Sequence, residues 1–157
     1  MERVEKTVEV NQPVSTVYNQ WTQFEDFPFF MDGVKEVRQL DDTHLHWRAE
    51  IWGKEKEWDA EITEQEPDER ISWKSVSGAQ SAGTVRFESL GPDRTRVRLV
   101  MAYEPEGVIE NTGDALGFLD AQVQAAVDDF KMFIERRGTA TGGWRGEVRD
   151  GEPRSRL

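Results

Sequence analysis

The sequence predicts an α+β fold in which one antiparallel sheet curls around a single long helix, and two observations predict it. Through the middle of the chain, Trp, Phe, Val and Ile alternate with charged residues at the period of two that marks half-buried strands. Behind them comes one amphipathic helix, expected over residues 112–137. Strands lie about 4.8 Å apart, so six or seven of them make a sheet roughly 30 Å wide. A helix with its side chains is only about 10 Å across. One helix cannot cover a flat sheet of that width, so the sheet must wrap it, and an apolar hollow between the two is the expected result.

At the start of the chain, Val4, Thr7 or Val8, and Val10 fit a short strand. Gln12-Pro13 then opens a helix with proline at its first position, and Val14, Val17, Tyr18 and Trp21 follow at helical spacing. In the run Phe24, Phe27, Pro28, Phe29, Phe30, Met31 the proline forbids a long helix, so a short second helix or turn is expected, ended by Asp32-Gly33.

Parity registers the central strands. With a hairpin turn at Gly53-Lys54, Leu45 faces Ile62, Trp47 faces Ala60 and Ala49 faces Trp58, while the opposite face pairs His46 with Glu61 and Arg48 with Asp59. A one-residue slip would set apolar residues against charged ones. The next strand, 70–76, turns Ile71, Trp73 and Ser75 inward. Gly83, Val85 and Phe87 continue that face, and Val97, Leu99, Met101 and Tyr103 complete it. For Phe87 and Val97 to share a face, the loop around Gly91-Pro92-Asp93 must hold an odd number of residues, three or five. Gly78 and Gly83 read as places where the sheet bends.

On the long helix, Leu116, Leu119, Val123, Ala126, Val127, Phe130, Phe133 and Ile134 form one apolar stripe. Small residues thin its first half and aromatics thicken its second. Tight packing is expected at the C-terminal end, with any cavity toward the N-terminal one.

Composition narrows the function classes. A 157-residue chain is one domain's length. Without cysteine there are no disulfides, no thiolate metal sites and no cysteine nucleophile. The net charge of −11 opposes binding to nucleic acid or to anionic membrane surfaces. The chain begins without a signal-like stretch and contains no long apolar run, so a cytoplasmic location without stable membrane insertion is the expectation. Nucleophile elbows, phosphate-binding loops, dinucleotide fingerprints and zincin helices are missing, and no cofactor is expected. His44 and His46 share the outer face of one strand, as a surface metal pair or, more simply, as partners of neighbouring carboxylates; no metal site is assigned. The last twenty residues, 138–157, carry five of the thirteen glycines and one large apolar residue, Trp144, and are expected to form a disordered tail behind a domain spanning 1–137.

The run Val17 to Val37, with Trp21, Phe24, Phe27-Pro28-Phe29-Phe30-Met31 and Val34, resembles the opening motif of a known family. Trp58-Asp59-Ala60-Glu61-Ile62, Pro67, Arg70-Ile71-Ser72-Trp73, Gly83 with Val85-Arg86-Phe87, Thr95-Arg96-Val97 and Tyr103-Glu104-Pro105 are similar to its strand motifs, and Phe130-Lys131 and Ile134-Glu135 to the end of its last helix. That family is the polyketide cyclase/dehydrase and coenzyme-Q-binding-protein branch of the START-like (SRPBCC) superfamily. The resemblance implies a helix-grip architecture: a curved sheet of about seven strands in the order 1-7-6-5-4-3-2, two short helices after strand 1, and the long helix over the concave face. It does not choose among the functions that superfamily holds.

The expected ligand-binding wall comprises Phe27, Phe30, Trp47, Trp58, Trp73, Phe87, Met101, Tyr103, Leu119 and Gln122, although buried aromatics also serve as plain core. Phe27 to Met31 and the loop from Glu106 to Gly113 are the candidates for its mouth; alternatively Phe27, Phe29 and Phe30 plug the core. Tyr103 and Glu64 are weak catalytic candidates, a carbonyl-polarising donor and a base. Three readings follow: a binder or carrier of a hydrophobic small molecule of polyketide, quinone or lipid type; an aromatase/cyclase acting on a linear polyketone; and a protein-interaction module of unknown partner.

Overall fold

The computed structural model describes residues 2–51, 53–78, 80–103 and 113–154. Strand β1 (Glu2–Val10) is followed by helix α1 (Val14–Trp21) and a 3₁₀ helix (Phe24–Phe29). Strands β2 (Val34–Gln39), β3 (His44–Ile51), β4 (Lys54–Glu66), β5 (Arg70–Gly78), β6 (Ser81–Gly91) and β7 (Arg94–Tyr103) come next, then the long helix α2 (Gly113–Arg137). The antiparallel order β1-β7-β6-β5-β4-β3-β2 is the expected one. Two further strands, β8 (Glu147–Arg149) and β9 (Glu152–Arg154), bring the described sheet to nine, somewhat more than the expected seven. Pro13 lies one residue before α1 rather than at its first position, and its carbonyl accepts the Val17 N–H at 3.1 Å.

Three further local expectations are corrected. Ile51 pairs with Lys54, so the β3–β4 register lies two residues from the expected one: Trp47 faces Trp58, Leu45 faces Ala60, Ala49 faces Lys56, His46 faces Asp59 and Arg48 faces Glu57. Gly53, at φ +76°, supplies the left-handed residue that a tight hairpin needs at its second position. Side chains alternate with a period of two, so this displacement leaves every residue on its expected face. Large therefore meets large, and Trp47 stacks on Trp58 with ring centroids 5.7 Å apart.

Phe87 does share its face with Val97, but by a different device. Gly91 pairs with Arg94 across a two-residue turn, and a bulge between Ser89 and Gly91 provides the odd residue.

The third correction concerns 138–154, which is ordered against the domain. β3 stops pairing with β4 at His44–Glu61, leaving the longer β4 with an overhang, and β8 pairs there through Glu64–Arg149 and Gln65–Val148. Val148 is fully buried. Asp150 and Gly151 both have positive φ, so Asp-Gly makes the tight turn between β8 and β9. Upstream, the Trp144 N–H donates to Thr22 Oγ1, and Arg145 pairs with Asp68 at 2.8 Å.

Helix α2 is fastened along β1. Lys131 Nζ donates to the Glu9 carbonyl and to Glu135, Glu135 accepts the Asn11 N–H, and Lys6 pairs with Asp120. Under its C-terminal half, Trp21, Phe27, Phe30 and Phe130 pack edge to face or tilted, at centroid distances of 5.1–5.7 Å. Phe87 joins Trp21 and Tyr18 in the same cluster.

Candidate functional site: an apolar cavity under the long helix

The site follows from a gradient of side-chain size. Where α2 offers Phe130 and Ile134, the space above the sheet is filled. One, two and three turns earlier it offers Ala126, Val123 and Leu119, and an unfilled space of about 70 Å³ remains. Its floor is Trp47, Ala49 and Trp58 from β3–β4 and Leu99, Met101 and Tyr103 from β7; Met31, Asp32, Val34, Ser81, Ala102 and Gln122 complete the wall.

Of the residues expected at the wall, Trp47, Trp58, Met101, Tyr103, Leu119 and Gln122 border this space. Four do not. Phe27 and Phe30 are sealed in the aromatic plug, and Phe87 packs on Tyr18 and Trp21. Trp73 stacks on the far side of Trp47 and lies across Gly83, where a Cβ would run into its ring. Residues not assigned to the wall from sequence include Ala49, Leu99 and Ala126; the pairing of small residues on facing elements was the available signal.

Of the two mouth candidates, Met31 borders the cavity, whereas 106–112 lie outside the described residues. Phe29 is 71 % exposed and stacks on Phe133 at the opposite end of α2. Gln122 stands between this space and an outer groove. Its Nε2 donates to the carbonyls of Asp32 and Glu50 at 3.3 and 3.4 Å, close against Gly33. On its outer side runs a groove of about 390 Å³, bordered by Gly33, Lys35, Glu50, Ala121 and Ala125.

Cavity chemistry is sparse. Among the described lining residues only Asp32, Ser81, Tyr103 and Gln122 have oxygen-bearing side chains. The indole N–H groups of Trp47 and Trp58 are buried with no hydrogen-bond partner among the described residues. Glu64 is elsewhere, on the tail side of the sheet, ion-paired to Arg70 at 2.8 Å and opposite Arg149. It does not join Tyr103 in a catalytic pair.

His44 and His46 lie on the outer face. His44 Nδ1 contacts Asp41 and His46 Nδ1 contacts Asp59 at 2.7 Å. No group of three metal-ligating side chains occurs among the described residues. Hydrogen bonds from His46 and then Ser77 hold the Asp59 carboxyl below its usual range, and the Thr43 N–H and His44 do the same for Asp41.

With this geometry in hand, likeness to known proteins is informative. Residues 10–131 match the family described as polyketide cyclase/dehydrase and lipid transport. The chain belongs to that family. A 17.2 kDa protein encoded between melC2 and rnhH in Streptomyces lincolnensis is 52 % identical over 149 residues, covering 94 % of this chain and 99 % of that one. Among solved structures, a START superfamily protein from Mycobacterium smegmatis superposes with a TM-score of 0.77 at 17 % identity, over 87 % of this chain and 99 % of its own. The Zhui aromatase/cyclase from Streptomyces sp. R1128 does so at 0.71 and 18 %, over 90 % and 98 %. At these identities the superpositions establish the START-like helix-grip fold. None of the described helices is long and apolar enough to cross a membrane.

Proposed function

We propose that the protein binds or carries a hydrophobic small molecule of polyketide, quinone or lipid type between the inner sheet face and the N-terminal half of α2. The observation that carries this reading is the unfilled space under Leu119, Val123 and Ala126, walled mostly by apolar side chains on a sheet whose other inward residues are buried. A family description that joins polyketide cyclisation to lipid transport supports the ligand class. At about 70 Å³ the cavity is far smaller than the roughly 300–1,000 Å³ of drug-sized sites. Binding therefore requires α2 to move off β2–β3, and Gln122, held by two long hydrogen bonds, is the side chain that must release.

The cyclase reading rests on Tyr103, whose ring is buried at the cavity wall. A phenol there can donate to a ketone oxygen, while Glu64 has no access to the same guest. Organic extraction of purified protein followed by mass spectrometry tests the binding reading, with an apolar compound at stoichiometric amounts as the expected result. Incubation with a linear polyketone separates the two readings: turnover lost in Tyr103→Phe, with binding retained, favours the cyclase.

A further inference from the structure

Two buried glutamines lie beneath the C-terminal segment, and they are treated differently. Gln20 is wholly shielded and fully matched: its Oε1 accepts the Thr141 N–H at 2.9 Å and its Nε2 donates to Thr141 Oγ1 at 3.1 Å. Gln65, 1 % exposed, has neither its amide oxygen nor its amide nitrogen paired among the described residues. A carboxamide shut away from water forfeits its hydrogen bonds to solvent, so buried amides in folded proteins are nearly always matched by protein, water or a bound group.

Gln65 lines a cleft of about 430 Å³ at the opposite end of the sheet from the apolar cavity. Phe24 and Trp144 form its aromatic sides, and Glu25, Asp41 and Asp42 its acidic rim, with no lysine or arginine among the described lining residues. Two of these carboxylates are already engaged, Asp41 by the Thr43 and His44 N–H groups and Glu25 by the Gln39 N–H. Asp42 has no ion pair or hydrogen bond among the described residues. The C-terminal segment builds the outer wall: Gly143 presses close to Asn19, which brings the neighbouring Trp144 over the cleft.

We propose that this cleft is a second binding site, for a small organic cation that also carries a carboxamide. The carboxamide of such a ligand matches the donor and acceptor of Gln65, its positive end meets the rim at Asp42, and its stem lies against Trp144, where an aromatic face favours a cation. This site is independent of the apolar cavity and stands or falls separately from it.

The test is calorimetric titration of the full chain with argininamide, alongside acetamide as a neutral control and arginine as a control whose carboxylate the rim repels. Saturable one-to-one binding of argininamide is expected, at least tenfold weaker for both controls and for the Gln65→Met and Asp42→Asn variants. In the absence of ligand, Gln65→Met removes an unmatched amide at nearly constant volume, so its Tm should equal or exceed that of the parent. Absence of saturable argininamide binding overturns the proposal, as does equal binding by the parent and Gln65→Met, which leaves a buried water as the partner of the amide. Asp42→Asn, at an exposed position, keeps the test valid if the core variant does not fold.

Discussion

The two halves of α2 rest on the same sheet and pack on it in opposite ways. In the C-terminal half, Phe130 and Ile134 are fully buried, and Phe130 sits 5.1 Å from both Trp21 and Phe30. In the N-terminal half, Leu119, Val123 and Ala126 stop short of Trp47, Trp58 and Met101. The hollow coincides with the stretch of the helix where Val123 and Ala126 stand in place of aromatic side chains. One end of the domain supplies the stability that allows the other to stay open.

The largest expected effect breaks that contrast directly. Phe130→Ala removes the centre of the plug and should cost about 3–5 kcal/mol by urea denaturation. Trp58→Ala, although it deletes a larger ring, should cost distinctly less, because that ring already borders empty space and loses fewer contacts. Equal losses would mean the cavity is closed by packing that the geometry does not show.

Truncation after Arg137 comes next. It strips Val148 from β4 and Trp144 from α1, which together should cost about 2–4 kcal/mol at the usual value of buried apolar side chains. Ligand binding in the apolar cavity should survive it, since no described residue beyond Ala126 lines that space. Loss of cavity binding in a truncated but folded chain would join the two ends that the comparison separates.

Gln122→Ala should change stability by under about 1 kcal/mol, its two hydrogen bonds being long and exposed. It should accelerate ligand entry in stopped-flow fluorescence and tighten equilibrium affinity by up to about fivefold, because the bound state no longer has to break those bonds. Unchanged kinetics would place the gate elsewhere.

The smallest effect lies on the outer face. Asp59 titrates below its ordinary value of 3.8 in the folded protein, so the folded state favours its carboxylate. Its stabilising contribution is therefore present above the unfolded pKa and is lost as pH falls through the lower folded one. Thermal melts of Asp59→Asn should accordingly depend less on pH below about 4 than those of the parent.

Much of this was legible in the sequence, for a definite reason. Parity states which face a strand residue occupies, and it placed Trp47, Trp58, Met101 and Tyr103 on the inner face, as helix phase placed Leu119 and Gln122 beside them. Parity is blind to a two-residue shift, so it cannot distinguish Trp47 opposite Ala60 from the observed Trp47 opposite Trp58. It is blind also to position along the sheet, so Phe87 and Trp73 share the inner face without reaching the cavity. The tail carries a local signal of its own: Asp150-Gly151 between Val148-Arg149 and Glu152 is a tight-hairpin dipeptide, set within a glycine-rich stretch that by composition reads as disordered. Gln65 gave no sign, because an unmatched amide exists only once the chain has folded around it.

The central claim is that the unfilled space beneath the N-terminal half of α2 is the ligand site. Ala126→Leu fills it from the helix side, and should leave stability within about 1.5 kcal/mol of the parent because the added methylenes enter existing space. Titration of parent and variant with a solvatochromic apolar probe, followed by quenching of tryptophan fluorescence, is the direct measurement. Saturable binding and quenching in the parent, both abolished in folded Ala126→Leu, is the predicted result; no saturable binding in the parent, or equal binding in the two proteins, would contradict it.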